Sequence, residues 1–241
     1  MPLDLVTIPC RSDNYAFLIH DAASGQTACI DAPDAQPILS ALTERGWALS
    51  HILITHHHDD HIAGVEALRA ATGARTHGAA ADVHRLPPLD TALRDGDTIP
   101  FGPETIHALE TPGHTVGHIC FHLPESRLAF TADTLMAAGC GRLFEGTPAQ
   151  MHASLTRLAA LPPDTLICSG HEYTTANLAF AATTDPDNPA LQARINATKA
   201  ARAAGQPTVP SLLALELATN PFLRAPDLSA FTALRAAKDR F

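Results

Sequence analysis

The stretch HILITHHHDDHIAG, residues 51–64, constrains this chain more than any other. An apolar run from His51 to Thr55 ends abruptly in His56, His58, Asp60 and His61, and apolar periodicity resumes only at Ile62. This reads as a buried strand emptying into a polar loop ahead of a helix. Neutral imidazole and carboxylate are the usual ligands of zinc and other borderline first-row metals, and a loop between rigid elements can aim several at one point. The order H-x-H-x-D-H also separates into two halves, His56 with His58 and Asp60 with His61, so one loop can serve two neighbouring ions. A histidine-rich tract can equally be a solvated loop; this one is internal, follows an apolar strand and encloses two adjacent aspartates.

Three further strand ends carry residues of the same chemistry. In TPGHTVGH, residues 111–118, Pro112 and Gly113 turn the chain directly after a strand and project His114. His118, four residues on, reads as a packing or hydrogen-bonding histidine. In FTADTL, Asp133 follows the apolar strand Leu128–Phe130; its two oxygens could bridge two ions, though a lone Asp there would also suit a helix cap or turn. In LICSGHEY, His171 follows the strand Leu166–Cys168 and the pair Ser169–Gly170. His56, His58 and His114 then form one set, Asp60, His61 and His171 a second, and Asp133 can be shared. His57 alternates with two ligands and is expected to point away. Asp31 closes an earlier strand, where it could orient a histidine from outside the ligand set or simply form a turn or cap. Two cations about 3.5–4 Å apart would lower the pKa of a shared water towards neutrality and generate hydroxide without a side-chain base.

Composition excludes several classes. A chain of 241 residues buries roughly 70–75% of its unfolded surface, so the core is not limiting. No apolar run approaches a membrane span and Met1 opens no basic signal segment, which leads to the expectation of a cytoplasmic protein without membrane association. The net charge of −9 argues against a nucleic-acid-binding face, which needs clustered Lys and Arg. The five cysteines are odd in number and none forms a C-x-x-C pair, so reduced core residues are expected rather than disulfides or thiolate zinc ligands.

Asp4–Pro9, Asn14–His20 and Gln26–Asp31 read as an antiparallel meander with turns at Ser12–Asp13 and Ser24–Gly25. A helix from Ala35 stopped by Gly46, a strand His51–Thr55 and a helix ending at Gly73 follow, then a short strand at Arg75–Thr76. Further strands are predicted at Glu104–Leu109, His118–Leu123 and Leu128–Thr131. Beyond Tyr173 the chain turns helical and Ala-rich, with helices near Thr174–Ala182, Pro189–Ala204 and Ser229–Lys238.

THHHDDH, TPGHTVGH, the Asp of TADTL and the His of GHEY resemble the metal motifs of the metallo-β-lactamase superfamily, whose fold is an αββα sandwich with a dinuclear site at one edge. AGCGRLFEGT (residues 138–147), HEYTTANLAFA (171–181), TNPFLR (219–224) and LRAAKDRF (234–241) resemble glyoxalase II, the hydroxyacylglutathione hydrolase family, and the similarity spans essentially the whole chain. The resemblance implies an α/β (α+β) fold with a dinuclear metal domain at 1–172 and a helical substrate-binding domain at 173–241. It implies that His56, His58 and His114 hold one divalent ion, that Asp60, His61 and His171 hold the other, and that Asp133 bridges them. Zinc is the expected metal, with iron or manganese as the other choices. Asp60 and Asp133 are the implied catalytic residues, and Arg142, Phe144, Tyr173, Arg235 and Lys238 the implied glutathione contacts. The implied reaction is hydrolysis of S-(2-hydroxyacyl)glutathione, S-D-lactoylglutathione above all, to glutathione and D-lactate, the second step of methylglyoxal detoxification, by a monomer. Phe144 stands where some relatives have tyrosine, Ala132 replaces the glycine of the usual GDT, Asp34 replaces the glycine of the usual DPG, and the segment from Arg224 to Leu234 is short. The alternative is a glutathione persulfide dioxygenase-like enzyme of the same fold with one iron, against which the RAAKDRF tail argues.

Overall fold

The computed structural model describes residues 3–241, which divide into two compact units: 3–110 with Gly117–Phe130, and Thr111–Val116 with Thr131–Phe241. The first unit begins with the expected meander. β1 (Asp4–Cys10), β2 (Asn14–Asp21) and β3 (Gln26–Ile30) pair antiparallel. The chain then crosses over through α1 (Ala35–Arg45), and β4 (His51–Leu53) joins β3 in parallel. Helix α1 is fixed at both ends: Asp34 accepts from Gln36 N at 3.0 Å, and Gly46, at φ 67°, closes it in the left-handed region that glycine adopts freely. Next come α2 (Asp59–Ile62), α3 (Val65–Thr72), β5 (Arg75–Ala79) and β6 (Thr91–Leu93), the two strands completing a sheet of order β1-β2-β3-β4-β5-β6. β7 (Thr98–Phe101), β8 (Glu104–Glu110), β9 (Ile119–Leu123) and β10 (Leu128–Ala132) form a second, antiparallel run.

Every residue of β2 is buried, because both faces of the first sheet are covered. On one side Leu18, Cys29, Ile52 and Ile54 share a core with Ile38 and Leu42 of α1 and with Val65 and Leu68 of α3. Burying each such aliphatic side chain contributes about 1.5–3 kcal/mol. On the other side the second run of strands closes in: Phe17 of β2 meets Phe130 of β10 at 5.6 Å between ring centroids, and His51 of β4 meets Phe101 of β7 at 6.1 Å. Apolar residues on both faces explain why these strands read as continuous hydrophobic runs rather than alternating ones.

The second unit holds β11 (Leu135–Met136), β12 (Gly139–Cys140), α4 (Pro148–Ala159), β13 (Leu166–Ser169), α5 (Thr174–Thr184), α6 (Pro189–Ala203), β14 (Ser211–Leu212), α7 (Leu213–Thr219) and α8 (Leu228–Lys238). Helices α4 and α7 are not among the elements expected from sequence, although Thr147 and Gln150 form a reciprocal capping box around Pro148, a readable start signal for α4. Strands β6 and β7 are also unanticipated, each being only three or four residues long. Aromatic rings tie the helices together: His152 of α4 lies 5.5 Å from Phe231 of α8, and Phe222 lies 5.9 Å from the same ring.

A buried polar clasp holds the β11–β12 hairpin in this unit. Glu216 of α7, fully buried, accepts the Ala138 N–H at 2.8 Å and pairs with Arg194 of α6, whose other amine donates to Thr219 at 2.7 Å. Asn220 donates to Met136 O at 3.2 Å and Gly139 O at 2.9 Å, and Asn177 of α5 donates to Ala137 O at 3.1 Å. A buried ion pair gives little net stability over an apolar replacement, but losing one partner strands the other's charge. Glu216→Leu is therefore expected to lower the unfolding free energy by about 3–5 kcal/mol. Urea denaturation reads this, and a loss below about 1 kcal/mol would refute the clasp as a stabilising unit.

Candidate metal centre

In the first unit the ligand loop hangs on one buried carboxylate. Asp31 follows β3 at φ 56° and is 2% exposed. It accepts from Thr55 N at 2.8 Å through Oδ1 and from Thr55 Oγ1 at 2.8 Å through Oδ2, while His61 Nδ1 lies 2.7 Å from Oδ2. His61 must donate through Nδ1, which leaves the Nε2 lone pair to bind a metal. Thr55 directs its proton to Asp31, so its oxygen accepts from His56 Nδ1 at 3.0 Å and the lone pair of His56 is likewise on Nε2. That nitrogen lies 3.1 Å from Nδ1 of His58. The loop's exit is equally fixed: a Cβ on Gly64 would sit 2.5 Å from Ala35 N and 2.9 Å from Ala32 O. His57 turns away, 3.2 Å from the buried Asp82 carboxylate, and His118 stacks on His56 at 4.9 Å between ring centres.

In the second unit Gly113 makes the turn before His114 at φ 154°, and a Cβ there would meet Met151 at 2.7 Å. His114 Nδ1 donates to Arg142 O at 2.9 Å, so the ring lone pair is on Nε2, 3.4 Å from Asp133 Oδ2. His171 Nε2 lies 3.4 Å from the same oxygen. Asp133 is 5% exposed and follows Ala132, which sits at φ 39° with its carbonyl accepting from Gly170 N at 3.1 Å. Gly141 allows the chain to pass beneath: a Cβ there would lie 2.0 Å from Asp133 O and 2.9 Å from His114 Nδ1.

Among the described residues, His56, His58, Asp60 and His61 of the first unit and His114, Asp133 and His171 of the second are the ones that could hold a metal ion. Imidazole nitrogens with carboxylate oxygens suit zinc and its first-row neighbours. The second nitrogen of His56, His61 and His114 is already bonded to an oriented partner, so these residues fit a metal. Thiols contribute nothing. All five cysteines are free and buried, and burial pushes the Cys10 and Cys140 thiols up to about 11. His77 is a core histidine: burial, then His51 and Arg75, push it down to about 4, so it stays neutral.

Of the residues expected to meet glutathione, Phe144 is 63% and Tyr173 39% exposed. The Phe144 ring stands edge-on to His114 at 5.3 Å, and Tyr173 stacks on His171 at 4.6 Å. Arg142 is exposed, with Nε 4.0 Å from Asp239. Lys238 is half-buried, donates to Ala176 O at 3.1 Å, and has its pKa lowered by burial and then by the charges of Arg235 and Arg142. Arg235 differs from these: it is 4% exposed, donating to Cys140 O and Asp239 Oδ1, both at 2.8 Å, beside the Phe222 ring. Thr55, which bonds His56, and Asp82, which bonds His57, are buried partners that the sequence motifs do not single out. Thr55 could have been found as the hydroxyl beside the first ligand, whereas nothing near Asp82 in sequence points to His57.

Residues 21–171 match the metallo-β-lactamase superfamily model and residues 172–241 match the model for the hydroxyacylglutathione hydrolase C-terminus. A hydroxyacylglutathione hydrolase from Cereibacter sphaeroides is 60% identical with 100% of both chains covered, and one from Jannaschia sp. is 61% identical with 98% of both covered. Among solved structures, ETHE1 from Myxococcus xanthus superposes with a TM-score of 0.74 at 28% identity, covering 98% of this chain and 90% of that one. TTHA1623 in a di-iron-bound form gives 0.65 at 26% identity, covering 91% of this chain and 100% of that one. With oriented His and Asp ligands in a mixed fold of sheets and helices, and full-length relatives at this identity, the chain belongs to the hydroxyacylglutathione hydrolase family of the metallo-β-lactamase superfamily.

Proposed function

We propose that this enzyme hydrolyses S-(2-hydroxyacyl)glutathione, with S-D-lactoylglutathione as the principal substrate, to glutathione and the 2-hydroxy acid. The reading includes two divalent ions, zinc by preference, one held by His56, His58 and His114 and the other by Asp60, His61 and His171. The observation that carries it is the position of Asp133: its Oδ2 lies 3.4 Å from Nε2 of His114 and 3.4 Å from Nε2 of His171, one imidazole from each set. A carboxylate so placed suits a bridging ligand. The substrate class follows from the full-length relatives and from the match of residues 172–241 to the hydroxyacylglutathione hydrolase C-terminus, which also weighs against a persulfide dioxygenase.

A bound pair of such ions lowers the pKa of water towards neutrality and polarises a carbonyl oxygen. This chain's own groups supply orientation. Asp60 is proposed to accept a hydrogen bond from the attacking water and aim it at the thioester carbon, and Asp31 keeps His61 in one tautomer. No strong acid is required at the leaving group, because a thiol of pKa about 8.5 departs readily as thiolate. Arg142 and Lys238 are proposed to attract the glutathione carboxylates, with Phe144 and Tyr173 as apolar walls, while Arg235 adds its charge and fixes Cys140 O and Asp239. A division into a metal domain at 1–172 and a helical substrate domain at 173–241 accompanies this reading. So does a cytoplasmic monomer, in keeping with five free cysteines; no helix among the described residues is long and apolar enough to cross a membrane.

The purified protein should hydrolyse S-D-lactoylglutathione, lose turnover on chelation and regain it with zinc; two bound metals without turnover would overturn the substrate assignment. Asp31→Ala should weaken zinc binding about 10–100-fold in chelator competition, since a bonded outer partner contributes that much. The double variant Arg142→Ala/Lys238→Ala should raise KM about tenfold or more while changing kcat little, as expected for contacts shared by ground and transition states. An unchanged KM would remove these two residues from the glutathione contacts.

A further inference from the structure

We propose that Asn14 is a positioning residue for Asp60, acting with Arg11 as a grip from the β1–β2 turn on the ligand-bearing helix α2. The inference rests on the metal-site reading above and deepens it. Helix α2 is a single turn of four residues, too short to hold its own shape, and its first position is preceded by His58, which makes no side-chain capping bond. Two adjacent carboxylates, Asp59 and Asp60, open it. Such a turn needs support from outside, above all where one carboxylate must keep a fixed direction.

The support comes from residues more than forty positions earlier in the chain. Asn14 is 4% exposed, and its amide nitrogen donates to Asp60 O at 2.9 Å and to Asp60 Oδ2 at 3.0 Å. Both hydrogens of one amide therefore bind the backbone and the side chain of the same residue, which sets the carboxylate's torsions relative to the helix. Arg11 repeats the pattern one residue earlier, donating to Asp59 O at 3.1 Å and Asp59 Oδ2 at 2.8 Å, while its Nε reaches Pro33 O at 3.1 Å. Arg11 adopts φ 48°, a conformation that few side chains take without a tertiary reason. The register Cys10↔Asn14 fixes the turn between them, so both donors are presented by a rigid hairpin.

The type of donor matters. A lysine at position 14 would neutralise Asp60 and compete with a cation for it. An amide is uncharged and occupies one of roughly four lone-pair sites on the carboxylate, leaving capacity for a metal and for water. The plainer account, that Asn14 only closes a turn, explains its backbone pairing but not why its amide directs both hydrogens to one ligand residue.

The test compares Asn14→Ala and the isosteric Asn14→Asp with the unaltered chain, reading zinc stoichiometry and affinity by competition with a chromophoric chelator, together with kcat and KM for S-D-lactoylglutathione. Both variants are expected to bind one zinc equivalent about 10–100-fold more weakly and to lose kcat more than KM changes, with Asn14→Asp the worse because it sets a like charge beside Asp60. Arg11→Ala, which leaves the Asn14 bonds in place, should weaken the same equivalent less. Folded variants, by circular dichroism and urea midpoint, that bind both equivalents as the unaltered chain does would overturn the proposal; if Asn14→Ala fails to fold, Asn14→Asp decides. Zinc binding is read without substrate, so a failed thioester assay would count against the substrate reading alone and leave the role of Asn14 to the zinc titration.

Discussion

The carboxylate of Asp31 is the interaction on which the ligand loop depends. A carboxylate 2% exposed is costly to bury, and it is tolerated because three donors converge on it: the N–H and hydroxyl of Thr55 and the Nδ1 of His61. These donors come from the end of β4 and from α2, so satisfying one buried charge docks both elements against the end of β3. The same bonds settle the tautomers of two histidines. With its proton turned towards Asp31, the Thr55 hydroxyl oxygen becomes an acceptor for His56, and a single anion thereby orients two histidines, His56 and His61. Local folding and preparation for metal are one event here.

The second unit reaches the same end through helices. Asp133 and Arg142 flank the β11–β12 hairpin, whose apolar residues Leu135, Met136, Ala137, Ala138 and Cys140 are all buried, so its backbone polar groups lie away from water. Its backbone groups are instead received by buried polar side chains of α5 and α7 and by Asn220, with Arg235 of α8 donating to Cys140 O. Burying so many polar atoms is tolerable only when each finds a partner, so displacement of one helix would expose several unsatisfied groups together. This gives the TNPFLR segment a structural reason: Asn220 bridges two hairpin carbonyls and accepts from Phe222 N at 3.1 Å.

What can be read from sequence follows from the range of the interactions involved. The meander, α1 with its Asp34 and Gly46 ends, and the strand emptying into His56–His61 are set by local periodicity and capping, and all appear where expected. The helices α5, α6 and α8 also match to within two residues, because composition and Pro punctuation mark them. Short strands such as β6 and β7 are stabilised by their neighbours rather than by their own pattern, and they are not legible. At the site, residue types and their strand-end positions expose the candidate ligands and Asp31 as a partner able to orient a histidine, whereas the other long-range partners are hidden. Asn14 lies 46 residues from Asp60 and Arg235 lies 95 from Cys140, and no local rule spans such distances. Burial of Arg235 is the clearest instance: its sequence context suggests a surface cation on a helix, and only packing against Phe222 and Cys140 makes it a core residue.

The departures from the family pattern have different physical weights. Asp34, in place of glycine, is accommodated with gain: its backbone is extended, at φ −151°, and its side chain caps α1. Ala132 is unfavourable. At φ 39° an L-residue is strained by about 1–2 kcal/mol where glycine is not, and the structure keeps it there by burying the methyl and bonding the carbonyl to Gly170. The strain lies one residue before Asp133, and Asp31 in the first unit is likewise left-handed, so each unit holds unfavourable backbone against tertiary bonds. Phe144 changes chemistry rather than shape: the ring still meets His114 edge-on, but it offers no hydroxyl to a polar substrate. In the proposed glutathione site that wall contributes apolar contact alone, and polar attraction falls to the proposed cations Arg142 and Lys238.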